Sequence, residues 1–257
     1  MASGETVGLQ EAADHLGVHY QTAYQWVRRG DLPARQVSRK YAIDLGDLDA
    51  FQRVRNTPTP PTRRVPRGGF GLALPRFHAA LVNGDEVTAR RITARYADTG
   101  TPIIDIIEGL FAPALRQIGD DWADGCTTVA TEHLASTITQ RLLAAYQPSK
   151  RGRPRGRALT TTPTGERHGL GASMAAAVLK EAGWKVHHLG ADLPTEEVAD
   201  FANHYDIGVV VLTSATDEGR STARAMIAEL AVSGITAITN EPGANLHDLI
   251  EAVEAVR

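Results

Sequence analysis

Gly165-Glu166-Arg167-His168-Gly169-Leu170-Gly171 directly follows the β-rich run Ala158 to Thr162 and leads into a helical pattern near 170–182. A histidine on a glycine-rich loop between strand and helix can present one imidazole nitrogen freely, while a nearby acid fixes the other and raises its basicity. That is a metal-ligand arrangement, although a lone loop histidine is more often just an exposed polar residue, so its context decides. Working outward, further strand-like runs at Lys185 to Leu189, Gly208 to Thr213 and Ile235 to Thr239 alternate with helical patterns near 195–204 and 217–233, and one more helix is expected at about 245–256. The alternation predicts a doubly wound parallel sheet of Rossmann or flavodoxin-like type, with ligands at the carboxyl ends of the strands.

Upstream of this α/β domain (157–257) the pattern changes. Residues 70–147 read as a four-helix bundle. Short helices are expected at about 72–82 and 85–98. Ile103, Ile107, Leu110, Phe111, Ala114, Ile118 and Trp122 draw one stripe on a long helix starting at Thr101-Pro102, and Ala130, Leu134, Ile138, Leu142 and Ala145 draw another. Val129, Glu132, His133 and Ser136 share a separate face of that last helix. Two breaks rich in Pro and Arg, 57–69 and 148–156, read as exposed linkers.

The first module, 1–56, has helix-turn-helix spacing. Leu9 to Leu16 is followed by Gly17, and a second helix runs from Val18 to Arg29 with Gly30 beyond it. Ala23, Trp26 and Val27 face inward on the second helix. His19, Tyr20, Gln21, Tyr24, Gln25 and Arg28 are left for base edges and phosphates of a major groove. Leu32 to Ile43 is expected to form a hairpin wing with Arg39 and Lys40 at its tip, placed for phosphate contacts.

Charge supports this division. The 257-residue chain carries a net −3, yet residues 1–69 hold ten Lys/Arg against seven Asp/Glu. A small basic module on an acidic body fits one module meeting a polyanion. No apolar run is long enough to span a membrane and no signal peptide is visible, so a cytoplasmic protein is expected. The single cysteine, Cys126, excludes an internal disulfide and a cysteine-rich zinc site.

Leu9 to Phe51 resembles MerR-type and excisionase-type winged helix-turn-helix domains, with His19 where those helices often place a Ser or Thr cap. Residues 158–257 resemble the cobalamin-binding module of methionine synthase and its relatives. That resemblance makes Glu166, His168 and Gly171 an Asp/Glu-x-His-x-x-Gly loop whose His is the lower cobalt ligand, flanked by Arg167 and Gly169. The corrinoid's own dimethylbenzimidazole is then displaced and its tail threads into the sheet near Ser214 and Thr216.

The Trp122 and Glu132-His133 spacing is similar to the signature of CarH/LitR-type cobalamin-dependent photoreceptor regulators, where these residues, with Val129 beside them, cap the upper face over the adenosyl group. Trp122 is also in phase with the bundle core and could pack there instead. The module order is that of this family over nearly the whole chain. The resemblance implies a non-enzymatic, light-responsive repressor that binds adenosylcobalamin or another cobalamin form and assembles into a homotetramer on double-stranded operator DNA.

Two departures stand out. Ala123 follows the Trp where the best-known photoreceptors carry a cobalt-capturing His, which makes His133 the nearest alternative upper ligand. Asn240-Glu241-Pro242-Gly243 replaces the family's Gly-Gly element, and a fifth strand is missing. Two other readings therefore stay open. One is a corrinoid component of a methyltransferase or mutase system; the other is a regulator of this fold that senses cobalamin or another ligand without light.

Overall fold

The computed structural model describes residues 6–16, 18, 20–29, 32–37, 40–56, 69–146, 152–240, 243 and 245–256. The chain divides into two compact units, 1–62 and 63–257. In the first, β1 (Thr6–Gly8), α1 (Leu9–His15), α2 (Tyr20–Arg29), β2 (Arg35–Val37), β3 (Lys40–Asp44) and α3 (Leu45–Asn56) close on Leu9, Ala12, Ala13, Leu16, Ala23, Leu32, Ile43 and Leu48. The expected wing is the β2/β3 hairpin, with Arg35 opposite Ala42 and Val37 opposite Lys40. Two elements were not expected. β1 pairs with the other side of β3, and α3 lays Phe51 against Trp26 with ring centroids 5.2 Å apart.

The second unit joins a helical bundle to the sheet. Its helices are α4 (Leu74–Val82), α5 (Glu86–Asp98), a long helix made of α6 (Ile103–Ile106), a π turn (Ile107–Phe111) and α7 (Ala112–Ala123), and α8 (Val129–Ala145). The long helix is thus not a plain α-helix. Pro113 has no N–H to give, and its ring crowds the carbonyl four residues back. The turn before it is widened, and the Ala112 N–H reaches back five residues to the Ile107 carbonyl. Gly109 in that turn lies under Phe70, where a Cβ would come within 2.1 Å of the ring.

The α8 stripe needs correction. Ile138 and Leu142 are buried as expected, but Ala130, Leu134 and Ala145 are exposed, and the buried face is completed by Ala135, Thr139 and Leu143. Both stripes share 138 and 142, so periodicity alone allows either. α8 packs on α4 and α7 and also on the sheet domain through α9, and those neighbours select the second.

The sheet, in the order β5-β4-β6-β7, is parallel throughout: β4 (Arg157–Thr161), β5 (Lys185–His188), β6 (Val209–Thr213) and β7 (Ala237–Asn240). Its side chains alternate between two cores. Ala158, Val209 and Val211 face α9 (Leu170–Glu181), α12 (Leu246–Ala255) and the bundle. Leu159, Val210 and Leu212 face α10 (Thr195–His204) and α11 (Asp217–Val232). One apolar core therefore runs without a break from Phe77 and Phe111 of the bundle to Val253 of α12.

Two carboxylates reinforce that junction. Both oxygens of Glu181 accept the Ile103 N–H at 3.0 Å, at the start of α6. Glu108, in the π turn, accepts the Leu246 N–H at 2.9 Å, at the start of α12. Each puts negative charge on free N–H groups at a helix N-terminus, where the helix dipole favours it.

The end of the second linker also differs from a plain exposed segment. Arg155 is ion-paired with Glu254 and donates its N–H to the Gly183 carbonyl, while Gly156 packs against the Trp184 ring. Clustered arginine and glycine resist burial only where no acid or close-packed ring is waiting for them.

Candidate cobalamin site

The β4-to-α9 loop is held by hydrogen bonds to its own neighbours in the fold. Gly165 sits at φ +83°, a conformation that costs glycine nothing, and its N–H donates to Asp192 Oδ1 at 2.7 Å. Thr162 Oγ1 donates to the Glu166 carbonyl and accepts the Asp192 N–H at 2.9 Å. These bonds turn Glu166 inward. It is 1% exposed, and its two oxygens accept five hydrogen bonds: the His168 N–H and ring Nδ1 on one, and the Ala215 N–H, Thr216 N–H and Thr216 hydroxyl on the other.

Burial pushes the Glu166 carboxyl up, but the hydrogen bonds from His168 and Thr216 outweigh it and hold the group at about 2. The carboxylate only accepts, so His168 Nδ1, 2.5 Å away, is the donor in their hydrogen bond. In the neutral imidazole the lone pair then lies on Nε2. Gly219 of α11 makes room for the carboxylate, since a Cβ there would meet Glu166 Oε2 at 2.4 Å.

His168 opens onto a cavity of about 640 Å³ between the bundle and the sheet. From the bundle come Ile107, Glu108, Leu115, Arg116, Glu132 and Ser136; from the sheet domain come Leu170, Gly171, Met174, Thr213, Ser214 and Leu246. The walls are largely apolar with a few polar groups, as in sites for sizeable organic ligands. Glu132 is preset: Ser136 Oγ donates to one oxygen at 2.8 Å and His133 Nδ1 lies 2.7 Å from the other.

The structure therefore gathers His168, Gly171, Ser214 and Glu132 around one space, with Glu166 and Thr216 directly behind His168. Trp122 is 50% exposed and does not pack in the core, which removes that alternative for it. Val129 and His133 are also exposed, and none of these three is among the cavity-lining residues. Arg167 is exposed with Nε 3.9 Å from Asp192, and Gly169 is the N-cap residue of α9.

Sequence reasoning missed Glu108, Arg116 and Thr213. Arg116 and Glu108 look like ordinary surface positions of an amphipathic helix, and Thr213 like the last residue of a buried strand.

In the first unit, Tyr20 is exposed. Tyr24, expected on the exposed face, is half-buried beside Tyr20 and Tyr41, with ring centroids 6.4 and 6.1 Å apart. Gln21, Gln25 and Arg28 lie on α2 and Lys40 begins β3, but their side chains fall outside the described residues, as do His19 and Arg39 altogether.

Comparison with known proteins matches each module. A helix-turn-helix family model covers residues 7–55, and two B12-binding domain models cover 74–147 and 156–240. The HTH-type transcriptional repressor CarA of Myxococcus xanthus is 28% identical over 74% of this chain and 69% of its own length. The chain thus combines a helix-turn-helix domain with two B12-binding domains and resembles the CarA/CarH-type repressors. The repressor CarH of the same organism is 34% identical over 38% of this chain and 32% of its own length. In fold, the bundle and sheet resemble the monomethylamine corrinoid protein of Methanosarcina barkeri, with a TM-score of 0.60 at 16% identity over 70% of this chain and 96% of that one. Among the described residues no helix is long and apolar enough to cross a membrane.

Proposed function

We propose that the chain is a light-responsive repressor in which His168 Nε2 is the lower cobalt ligand of adenosylcobalamin. The observation that carries this reading is the Glu166–His168 pair. A fully buried carboxylate, satisfied by five hydrogen bonds, fixes the imidazole in the tautomer whose free nitrogen faces a large cavity. A histidine oriented in this way is the arrangement a metal ligand requires. The Thr213 hydroxyl on the cavity wall, without a hydrogen-bond partner among the described residues, fits a ligand with polar edges.

When bound, adenosylcobalamin supplies a cobalt–carbon bond that visible light breaks. The residues of this chain do the rest. Glu132, held by Ser136 and His133, takes the upper side of the ligand, with Trp122 and Val129 beside it at the same end of the bundle. His133 is the candidate upper ligand once the bundle shifts, since Ala123 offers none. Glu108 and Glu181 tie the bundle to the sheet domain, so a shift must break or re-form those contacts, and the ligand state that fits the closed arrangement better is the one that holds it. His19, Tyr20, Gln21, Tyr24, Gln25 and Arg28 are assigned to the major groove and Arg39 and Lys40 to phosphates of operator DNA, with a homotetramer as the binding form. The reading places the protein in the cytoplasm and assigns it no turnover.

The test is reconstitution with adenosylcobalamin in darkness, followed by absorption spectra, size-exclusion chromatography and gel shifts before and after illumination. A base-off, His-on spectrum is expected, lost in His168→Ala, together with a light-induced spectral change accompanied by a change in assembly and in DNA binding. An unchanged spectrum on illumination would remove light as the signal. Absence of DNA binding at low salt would favour a corrinoid subunit serving a partner enzyme, a reading the shared fold keeps open.

A further inference from the structure

The face of the sheet beneath α9 changes character toward the carboxyl ends of its strands. Ala158 of β4 and Val186 of β5 are paired apolar residues there. Two residues further on, the same face carries Thr160 and His188, again paired across the strands. Thr160 is fully buried and His188 is half-buried.

Their side chains form a chain of hydrogen bonds that ends on α9. Thr160 Oγ1 lies 3.0 Å from His188 Nδ1, and His188 Nε2 lies 3.0 Å from Ser173 Oγ. Ser173 Oγ donates to the Gly169 carbonyl at 3.2 Å. Since that hydroxyl has one proton, it accepts from His188 Nε2, and in the neutral imidazole His188 Nδ1 accepts from the Thr160 hydroxyl. Burial holds His188 below the ordinary range of an imidazole, which favours this neutral form.

Gly169 directly follows His168. Glu166 holds the ring and the N–H of His168 from the side of β6, where it also binds Ala215 and Thr216. The Ser173–His188 chain holds the next carbonyl from the opposite side, through β5. Gly169 also lies close against the loop after β5, since a Cβ there would come within 3.1 Å of Ala191 Cβ. Apolar packing tolerates small slides, whereas a satisfied chain of buried hydrogen bonds specifies one placement of the first turn of α9.

We propose that Ser173 and His188 are positioning residues, which through the Gly169 carbonyl hold the backbone beside His168 in the place from which its Nε2 reaches cobalt. This rests on the cobalamin reading above. The test saturates the full-length protein with adenosylcobalamin in darkness and reads the affinity and the fraction of bound ligand with the His-on spectrum. Ser173→Ala and His188→Leu should each weaken binding about threefold to tenfold and leave part of the bound ligand His-off. The double variant should lose no more than the worse single one, because both cut the same chain. His188→Gln, which keeps an amide N–H for Ser173, should recover most of the His-on fraction.

A fully His-on spectrum in Ser173→Ala overturns the proposal, even with a lowered melting temperature, as do losses that add in the double variant. Alanine suits a helix, so Ser173→Ala decides alone where His188→Leu does not fold. A wild-type protein that binds no cobalamin, or binds it without a His-on spectrum, would instead overturn the reading beneath the proposal.

Discussion

Glu166 concentrates most of the electrostatics of the site in one side chain. Its carboxyl titrates ordinarily near 4.5 and is held near 2 in the fold, so the stabilisation it provides is complete above pH 4.5 and disappears as the pH falls from 4.5 toward 2. That difference corresponds to about 3 kcal/mol. Urea titrations of wild type and Glu166→Gln at several pH values should therefore show a stability gap that is wide at neutral pH and closes below pH 4. A gap independent of pH would contradict the assigned ionisation. The same variant loses the acceptor that sets the His168 tautomer, and cobalamin affinity should fall about 10- to 100-fold, read from absorbance titrations.

The π turn is the element on which the cavity depends. It brings Glu108 to the cavity and to the start of α12, and it leaves Gly109 beneath Phe70. Gly109→Ala would drive a methyl into that ring, so despite alanine's higher helix propensity the substitution should destabilise the protein by about 1 to 3 kcal/mol, visible as a lower melting temperature. Glu181→Ala removes the only carboxylate on the Ile103 N–H among the described residues and should cost about 1 kcal/mol by the same measurement. Were the junction between bundle and sheet held by apolar contact alone, that variant would melt like the wild type.

At the scale of the whole molecule, the bundle and the sheet share a single core while residues 1–62 close on their own. A fragment of residues 63–257 should accordingly fold and bind cobalamin with the affinity of the full chain, and should show no gel shift on DNA that the full chain binds. DNA binding by the full chain should weaken steeply between 50 and 200 mM salt, as expected for phosphate contacts from Arg and Lys. Cobalamin binding that vanished in the fragment would mean the first unit contributes to the ligand site.

Much of this was legible in the residues alone. Alternating β-rich and helical runs determined a parallel sheet, three- and four-residue spacing determined a bundle, and Glu166, His168 and Gly171 marked a loop whose local chemistry needs only neighbours in sequence. Periodicity did not decide which of two overlapping faces of α8 is buried, because Ile138 and Leu142 belong to both and α9 makes the choice from another domain. Spacing also gave no sign that Trp122 would stand half in solvent, or that Arg155 and Gly156 would be drawn into the sheet domain by Glu254 and Trp184. Those outcomes depend on partners far away in the chain. For the same reason His168 could be picked out as a candidate from its own loop, whereas its fixed tautomer required Glu166 to meet Ala215 and Thr216 at the far end of β6, a contact that exists only once the strands lie side by side.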